Sequence, residues 1–132
     1  MTAQPEPTQI LPPDLLIGVV GVCASGKSTL IRLLTERGYR CRHIAQEHSY
    51  VADMWQRLTH PDILVFLEVS YDVTIRRKKL NWTRAEYEEQ LRRLRHAYAN
   101  ADIRILTDDL NPDELLHIVQ DKIHRILLKR VE

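Results

Sequence analysis

The chain has 132 residues, of which 44% are hydrophobic and 28% are charged, and its formal net charge at neutral pH is +1. This size suits one domain with a single core, and the near-zero charge argues against a nucleic-acid-binding protein. No run approaches the roughly 20 apolar residues of a membrane-spanning helix, and the first residues lack the basic and apolar regions of a secretion signal. We expect a cytoplasmic protein with a disordered, proline-rich arm over residues 1–13 and one domain over residues 14–132.

The segments that follow the arm alternate between strand-like and helix-like patterns, as in proteins with a parallel α/β sheet. The sequence predicts four strands, at residues 15–22, 39–45, 63–69 and 103–107. The third is the clearest, because ILVFLEV is the continuous apolar run that a central strand needs when helices cover both of its faces. We therefore predict a three-layer α/β sandwich whose parallel sheet has the strand order 2-1-3-4.

Helices are predicted between these strands and after the last one. One follows the first strand and ends at Gly38, a short one spans residues 49–58, and a basic one spans residues 72–80. Two later helices begin at capping boxes, one started by Thr83 and one by Asn111. The apolar face of the short helix consists of Val51, Met54, Trp55 and Leu58. That of the helix begun by Thr83 consists of Tyr87, Leu91, Leu94 and Tyr98. That of the helix begun by Asn111 consists of Leu116, Val119, Ile123 and Ile126.

The segment GVCASGKST, residues 21–29, matches the phosphate-binding pattern G-x-x-x-x-G-K-[ST]. In that pattern the glycines let backbone N–H groups turn towards a polyphosphate, the lysine reaches the phosphate oxygens, and the hydroxyl residue binds Mg²⁺. An apolar strand precedes the segment and a helix follows it, so the dipole at the start of the helix adds to the attraction. The sequence therefore predicts a site for Mg²⁺ and for ATP or GTP that is formed by Gly21, Ala24, Ser25, Gly26, Lys27, Ser28 and Thr29.

Beyond this motif, the segments PDILVFLEVSYDVTIRRKK, YEEQLRRLRHAYANA and IRILTDDLNPDEL follow one another in a recognisable order and spacing. Over most of residues 15–127 the chain resembles the P-loop nucleoside and nucleotide kinases, especially those similar to thymidylate kinase. The resemblance implies a P-loop fold in which the lysine and serine of the motif hold the phosphates and Mg²⁺. It also implies a phosphate or transition-state role for Arg77 and a mobile lid at Lys79–Ala85, with Arg84 as its arginine.

The chain departs from this family between the second and third strands. A complete kinase of this type has a further strand ending in Asp-Arg and an inserted acceptor-binding region there, whereas this chain has only residues 46–62. Glu47 follows the second strand, at the edge of the sheet where ligands bind in α/β proteins, and is the leading candidate for a general base or a contact to Mg²⁺. It could equally be a solvated loop carboxylate. Glu68, at the end of the third strand, is a weaker candidate for the same role.

Several neighbouring residues leave alternatives open. Gln46, His48 and Ser49 could contact an acceptor or serve local structure. The other five histidines share no ligand spacing, so the sequence predicts no zinc site. The two cysteines, Cys23 and Cys41, are expected to be reduced thiols rather than a disulfide.

The leading hypothesis for function is phosphoryl transfer from the nucleotide to a small acceptor, with Lys27, Glu47, Arg77 and Arg84 as the catalytic residues. Two alternatives are a non-catalytic nucleotide-binding module and a slow nucleotide hydrolase in which Glu47 orients water. Trp82, in the lid, either packs or stacks on a base. The sequence leaves open the acceptor, the choice between ATP and GTP and the oligomeric state, a homo-oligomer included.

Overall fold

The computed structural model of the chain describes residues 11–78 and 81–131, so most of the predicted arm lies outside the described residues. The described part contains one sheet whose strands are all parallel. The strands are β1 (Leu16–Gly21), β2 (Arg40–His43), β3 (Ile63–Glu68) and β4 (Ile103–Leu106). The predicted strands are therefore confirmed, although each is slightly shorter than predicted.

The strands lie in the order β2-β1-β3-β4, which confirms the predicted order. β1 and β3 are central, and Val19 of β1 lies opposite His43 on one side and Val65 on the other. Both central strands are almost entirely buried, as expected of strands covered on both faces. β2 and β4 form the two edges, and on β2 the side chains of Arg40, Arg42 and His43 are exposed.

Helices cover both faces of the sheet. They are α1 (Lys27–Glu36), α2 (Met54–Thr59), α3 (Tyr71–Lys78), α4 (Arg84–Arg93), α5 (Arg95–Asn100) and α6 (Pro112–Arg130). On one face, α1 and α6 pack against strand residues such as Val19 and Val65. On the other face, Trp55 of α2, Val73 of α3 and Ala97 of α5 pack against the alternate strand residues. The α/β fold is confirmed, and the arrangement of helices is consistent with the predicted three layers.

The segment that begins at Thr83 differs from the prediction. Its capping box is present, since Thr83 Oγ1 accepts from Glu86 N at 3.1 Å and Glu86 Oε1 accepts from Thr83 N at 2.8 Å. The single predicted helix is nevertheless divided at Leu94, where α4 ends and α5 begins. Leu94 is buried, but Leu91 is 40% and Tyr98 43% exposed, because these two side chains line an open groove beside edge strand β4.

The connection between β2 and β3 also differs from the prediction. It contains a short 3-10 turn at Gln46–His48, and α2 covers only the second half of the predicted helix. Ser49 Oγ accepts a hydrogen bond from Val51 N at 3.1 Å, and this local turn competes with helix formation over the first half. Trp55 is buried as the pattern suggests, whereas Leu58 is 76% exposed, so only part of the apolar face reaches the core.

The last helix agrees with the prediction. Asn111 Oδ1 accepts from Glu114 N at 2.8 Å, and the Glu114 carboxylate accepts from Asn111 N at 2.9 Å, which completes the capping box. The predicted apolar residues of α6 lie in or against the core. Within residues 11–78 and 81–131, no helix combines the length and the apolar character needed to cross a membrane.

Candidate functional site

The residues of the predicted phosphate motif form the turn from β1 into α1. A Cβ at Gly21 would lie 2.5 Å from the carbonyl oxygen of Leu67, so no larger residue fits there without a shift of the backbone. Gly26 precedes α1 with a φ of 105°, which strongly favours glycine. Ala24 also has a positive φ, 69°. The two glycines therefore permit the tight path of residues 22–26, which we call the β1–α1 loop.

Lys27 lies at the first position of α1, and its ammonium group contacts protein oxygens. Nζ donates to the carbonyl oxygens of Gly21 at 2.6 Å and of Val22 at 3.0 Å. It also lies 3.2 Å from Oε2 of Glu47, and the Lys27 and Glu47 side chains are only 6% and 4% exposed. Two ammonium donors are thus used by carbonyl oxygens, and the Glu47 carboxylate lies beside the group as its ionic partner. The structure therefore brings together two residues that the sequence analysis singles out separately.

Glu47 is held in place by the buried amide of its neighbour Gln46. Gln46 Oε1 accepts from Trp55 N at 2.7 Å, and Gln46 Nε2 donates to the carbonyl oxygens of Val51 and Arg93. Arg93 also donates to the Glu47 carbonyl oxygen at 3.3 Å. Gln46 therefore serves local structure. By contrast, Glu47 Oε1 has no hydrogen-bond partner among the described residues, so it can accept one from a ligand.

Arg77 and Thr107 hold one side of the β1–α1 loop. Arg77 Nη1 donates to the Ala24 carbonyl oxygen at 3.1 Å and to Thr107 Oγ1 at 3.0 Å, and Nη2 donates to the Thr107 carbonyl oxygen. Thr107 Oγ1 in turn donates to the Ser25 carbonyl oxygen at 2.9 Å. Arg77 thus lies at the predicted site, bound to protein oxygens. Its contact with a phosphate stays a prediction.

Another attachment of the loop runs from Cys23 to α4. Cys23 N donates to Gln90 Oε1 at 3.0 Å, and Gln90 Nε2 donates to Cys23 Sγ at 3.2 Å. Cys23 and Cys41 are both free thiols. Burial raises the pKa of the Cys41 thiol to about 11. A hydrogen bond with the Thr35 side chain lowers this pKa, but its effect is smaller than that of burial. Burial therefore disfavours the thiolate form of Cys41.

Two cavities open on residues 24–26 of the β1–α1 loop. The first has a volume of about 240 Å³, and both predicted Mg²⁺ ligands, Ser28 and Glu47, line it. Its full lining consists of Cys23, Ala24, Gly26, Lys27, Ser28, Thr29, His43 and Glu47. We call it the phosphate cavity. A second cavity, of about 250 Å³, shares part of the loop and is otherwise lined by Arg77, Thr107 and residues 110–112 and 115. We call it the side cavity.

The start of α1 offers unused donors to the phosphate cavity. Among the described residues no side chain caps this helix, so its first backbone N–H groups are available to a ligand. Ser25 Oγ is buried and also has no hydrogen-bond partner among the described residues. A negative ligand at this end of α1 would be attracted both by these groups and by the helix dipole.

The predicted lid is described only from residue 81 onwards, since residues 79 and 80 lie outside the described ranges. Arg84 Nε lies 3.4 Å from Glu88 Oε2. The Arg84 guanidinium also lies 5.5 Å from the centre of the Tyr71 ring. These contacts are on its own helix and on α3. They do not join it to the β1–α1 loop, so its catalytic role stays a prediction.

Trp82 packs between α3 and α4. Its indole Nε1 donates to Thr74 Oγ1 at 3.0 Å, and its carbonyl oxygen accepts from the Tyr71 hydroxyl at 2.6 Å. The indole meets the Tyr87 ring edge to face, with 6.0 Å between ring centres. In this arrangement Trp82 has the packing role, one of the two alternatives, and stacking on a base would require these hydrogen bonds to open.

Glu68, the alternative carboxylate, lies away from the phosphate cavity. It lines a separate, mainly apolar groove of about 330 Å³ together with Tyr87, Leu91 and Arg95. Of the two carboxylates that the sequence offers at the edge of the sheet, only Glu47 lines the phosphate cavity.

Three residues that hold the site together, Gln90, Arg93 and Thr107, were not predicted from the sequence. Each of them bonds to backbone atoms of the loop or of the turn that carries Glu47. A backbone partner has no signature in the sequence. The one available signal for Thr107 is its position, because a polar residue directly after a parallel strand lies at the ligand-binding edge of the sheet.

Comparison with known proteins adds no family to this description: no protein-family model matches the chain, and a search of curated proteins finds no significant match. The similarity to nucleotide kinases therefore depends on the motifs described above.

Proposed function

We propose that the chain is a P-loop protein that binds ATP or GTP with Mg²⁺ and transfers a phosphoryl group from it to a small acceptor. The observation that carries the proposal is the position of Lys27, buried at the start of α1 with its ammonium between the loop carbonyls and Glu47. A buried cation beside uncapped N–H groups is what a polyphosphate needs.

The phosphate cavity supports the binding of the polyphosphate. It has Lys27 on its wall, and it adjoins the start of α1, where Gly26 presents no side chain. The Lys27 donors now used by carbonyl oxygens would form stronger, charge-assisted hydrogen bonds with phosphate oxygens. On binding, phosphate oxygens would therefore replace carbonyl oxygens of the protein as hydrogen-bond partners of the Lys27 ammonium.

The residues present fit Mg²⁺ as a companion of the phosphates. Mg²⁺ prefers oxygen ligands and commonly uses one or two protein groups together with phosphates and water. Ser28 Oγ, on an exposed residue, and the carboxylate of Glu47 supply such oxygens beside the phosphate cavity. When bound, the ion would neutralise phosphate charge, and the two side chains would orient it.

The side cavity supports the placement of the nucleoside. It shares Ala24, Gly26 and Thr29 with the phosphate cavity, so one ligand can occupy both. Its wall combines the Asn111 side chain with the apolar Leu115, a composition that suits a flat heterocycle with polar edges. Nothing in this lining separates adenine from guanine.

Glu47 is the residue that we propose to act on the acceptor. Phosphoryl transfer depends mainly on positioning and on charge stabilisation. Glu47 lies at the phosphate cavity, and the short connection that carries it leaves room for a small acceptor only. The free thiols of Cys23 and Cys41 suit a reducing, cytoplasmic setting, in which ATP and GTP are available.

One observation favours a second candidate, nucleotide binding without transfer or with slow hydrolysis. All the Arg77 contacts described are to Ala24 and Thr107, so this guanidinium holds the loop instead of facing the cavity freely. A protein that binds nucleotide but lacks a free arginine for the transition state would transfer phosphate slowly.

The binding step is tested by calorimetry with Mg·ATP and Mg·GTP. We expect Lys27→Ala to weaken triphosphate binding by at least about 1.5 kcal/mol, a little over tenfold, because a charge-assisted contact is lost. Lys122→Ala is the matched control, since Lys122 is exposed on α6 and lines neither loop cavity. Equal affinity of the wild type and Lys27→Ala, or no binding by either, would contradict the proposal.

A further inference from the structure

We propose that Cys23, Glu47 and His48 form a binding site for a thiophilic divalent metal ion such as Zn²⁺. This inference does not depend on the proposed function, because it concerns the side chains of the site alone. It adds a second type of ligand to the region in which Mg²⁺ and a nucleotide are proposed above.

The three side chains converge from two separate parts of the chain. Cys23 belongs to the β1–α1 loop, whereas Glu47 and His48 belong to the turn that follows β2. One ligand atom from each, the thiol sulfur, a carboxylate oxygen and an imidazole nitrogen, lies within 4.8 Å of the other two. The sequence analysis did not find this group, because twenty or more residues separate the thiol from the other two ligands.

The carboxylate gives an independent indication of a missing ligand. Glu47 is buried, yet its Oε1 has no hydrogen-bond partner among the described residues, while Oε2 faces Lys27 at 3.2 Å. A buried carboxylate oxygen without a partner is unfavourable. His48 Nε2 already lies 3.7 Å from Oε2. A cation bound by this carboxylate together with Cys23 and His48 would offset the cost.

The donor set discriminates between metals. Thiolate and imidazole ligands favour Zn²⁺ and similar ions, whereas Mg²⁺ prefers oxygen ligands only. In a tetrahedral Zn²⁺ site the ligand atoms lie about 3.3–3.8 Å apart, as bond lengths of about 2.0–2.3 Å require. Because the ligand atoms lie within 4.8 Å of one another, the cluster needs to close by at most about 1–1.5 Å. His48, whose side chain is 61% exposed, is free to make that adjustment.

The surroundings orient two of the ligands. Gln90 Nε2 donates to Cys23 Sγ at 3.2 Å, and such a donor stabilises a metal-bound thiolate. Arg93 donates to the Glu47 carbonyl oxygen and so fixes the turn that carries both other ligands. Three protein ligands leave a fourth position for water.

The charges around the site limit its affinity without preventing binding. Lys27 repels a metal ion, but hydrogen bonds to the Gly21 and Val22 carbonyl oxygens and the ion pair with Glu47 Oε2 hold its ammonium group in place. On binding, the Cys23 S–H bond is replaced by a bond from sulfur to the metal, and the proton passes to solvent. The thiolate and the Glu47 carboxylate then supply two negative charges against the ion.

Cobalt(II) titration of the untagged protein under reducing conditions tests the site. Co²⁺ is the probe because a sulfur ligand gives it a charge-transfer absorption band in the near ultraviolet. We expect the wild type to develop the band, and Cys23→Ser to lose it. His48→Ala and Glu47→Gln should weaken Co²⁺ binding by about tenfold or more, the order expected when a metal-site interaction is removed.

Two matched controls come from the same chain. Cys41→Ser removes the other thiol, and His43→Ala removes a histidine of the phosphate cavity that is outside the cluster. Both should bind Co²⁺ as the wild type does. Because His48 is exposed, His48→Ala is not expected to disturb folding, and circular dichroism checks every variant. No sulfur band in the wild type, or a band that Cys41→Ser abolishes and Cys23→Ser does not, would overturn the proposal.

Competition with nucleotide gives a second readout, and only this part depends on the proposed function. Zn²⁺ and the Mg²⁺–nucleotide complex both require Glu47, so Zn²⁺ should weaken ATP binding to the wild type. It should not weaken ATP binding to His48→Ala. Without Zn²⁺, the two proteins should bind ATP with equal affinity. Failure of ATP to bind at all would contradict the proposed function and leave the Co²⁺ result intact. Equal inhibition of both proteins by Zn²⁺ would contradict inhibition through this cluster.

Discussion

The Lys27 ammonium and the Glu47 carboxylate form a buried ion pair, with Nζ 3.2 Å from Oε2. Removal of one partner from such a pair commonly costs about 3–5 kcal/mol, because the other charge stays buried without compensation. We expect Lys27→Met to lower the free energy of unfolding by about that amount. Glu47→Gln should cost less, because Lys27 still donates to two carbonyl oxygens.

Urea denaturation of both single variants and the double variant measures the coupling. The free energy of unfolding of the double variant should be about 1–3 kcal/mol higher than the value expected if the two single effects were additive. The exposed pair Arg57–Asp53 is the control, and Arg57→Met should change stability by less than about 1 kcal/mol. Additive effects of the Lys27 and Glu47 changes would mean that the two charges do not stabilise each other.

A second prediction concerns turnover. If the protein is a kinase, Glu47→Gln should lower turnover about a hundredfold or more with much less change in nucleotide affinity, since the variant keeps the shape of the side chain and loses its charge. The measurement is transfer from labelled ATP to a panel of nucleosides and small alcohols.

Glu68→Gln is the comparison variant for that assay, because Glu68 lines a different cavity. It should retain turnover. Loss of activity in Glu68→Gln alone would assign the carboxylate role to Glu68, and unchanged turnover in Glu47→Gln would leave Glu47 with its ion pair and no catalytic part.

A third prediction separates two roles of Arg77. As a support of the β1–α1 loop it acts together with Thr107, so Arg77→Ala and Thr107→Val should both speed hydrogen exchange over residues 22–26, by about tenfold without nucleotide. Arg76→Ala is the control, since Arg76 is the exposed neighbour. If Arg77 contacts phosphate as well, its replacement should weaken nucleotide binding much more than Thr107→Val does.

A fourth prediction concerns the lid. In a Trp55→Phe background Trp82 is the remaining tryptophan, and its fluorescence should change when a Mg²⁺-bound non-hydrolysable triphosphate is added. A movement of the lid would have to break the indole contact with Thr74. The same titration on a protein that also carries Lys27→Ala should give a much weaker response. A flat signal in the parent protein would leave Trp82 as a packing residue.

The sequence predicted the sheet well, because the central strands β1 and β3 are separate apolar segments and the connections are too long for hairpins. Ser49 and Leu94 mark where it failed. A hydroxyl that bonds to a nearby backbone N–H delays α2, and a break at a buried leucine divides the helix that follows Thr83. Both depend on local geometry that apolar spacing does not encode.

For the candidate site, the motif predicted Lys27 and Ser28 from their spacing, and position alone suggested Glu47. The contact between Lys27 and Glu47 could not be predicted, since it depends on how far β2 extends and on the turn held by Gln46. The position of Cys23 beside His48 depends on the same turn.

The edge position of β2 has a consequence for self-association. An edge strand offers unpaired backbone groups to a strand of another molecule, and charged side chains oppose such pairing. The exposed Arg40 and Arg42 lie on this short edge strand. Two copies joined through β2 would place these guanidinium groups against one another, and like charges across a strand pair are destabilising. If the chain forms a homo-oligomer, we therefore expect the copies to meet away from β2, which leaves the phosphate cavity's β2 side open to small molecules.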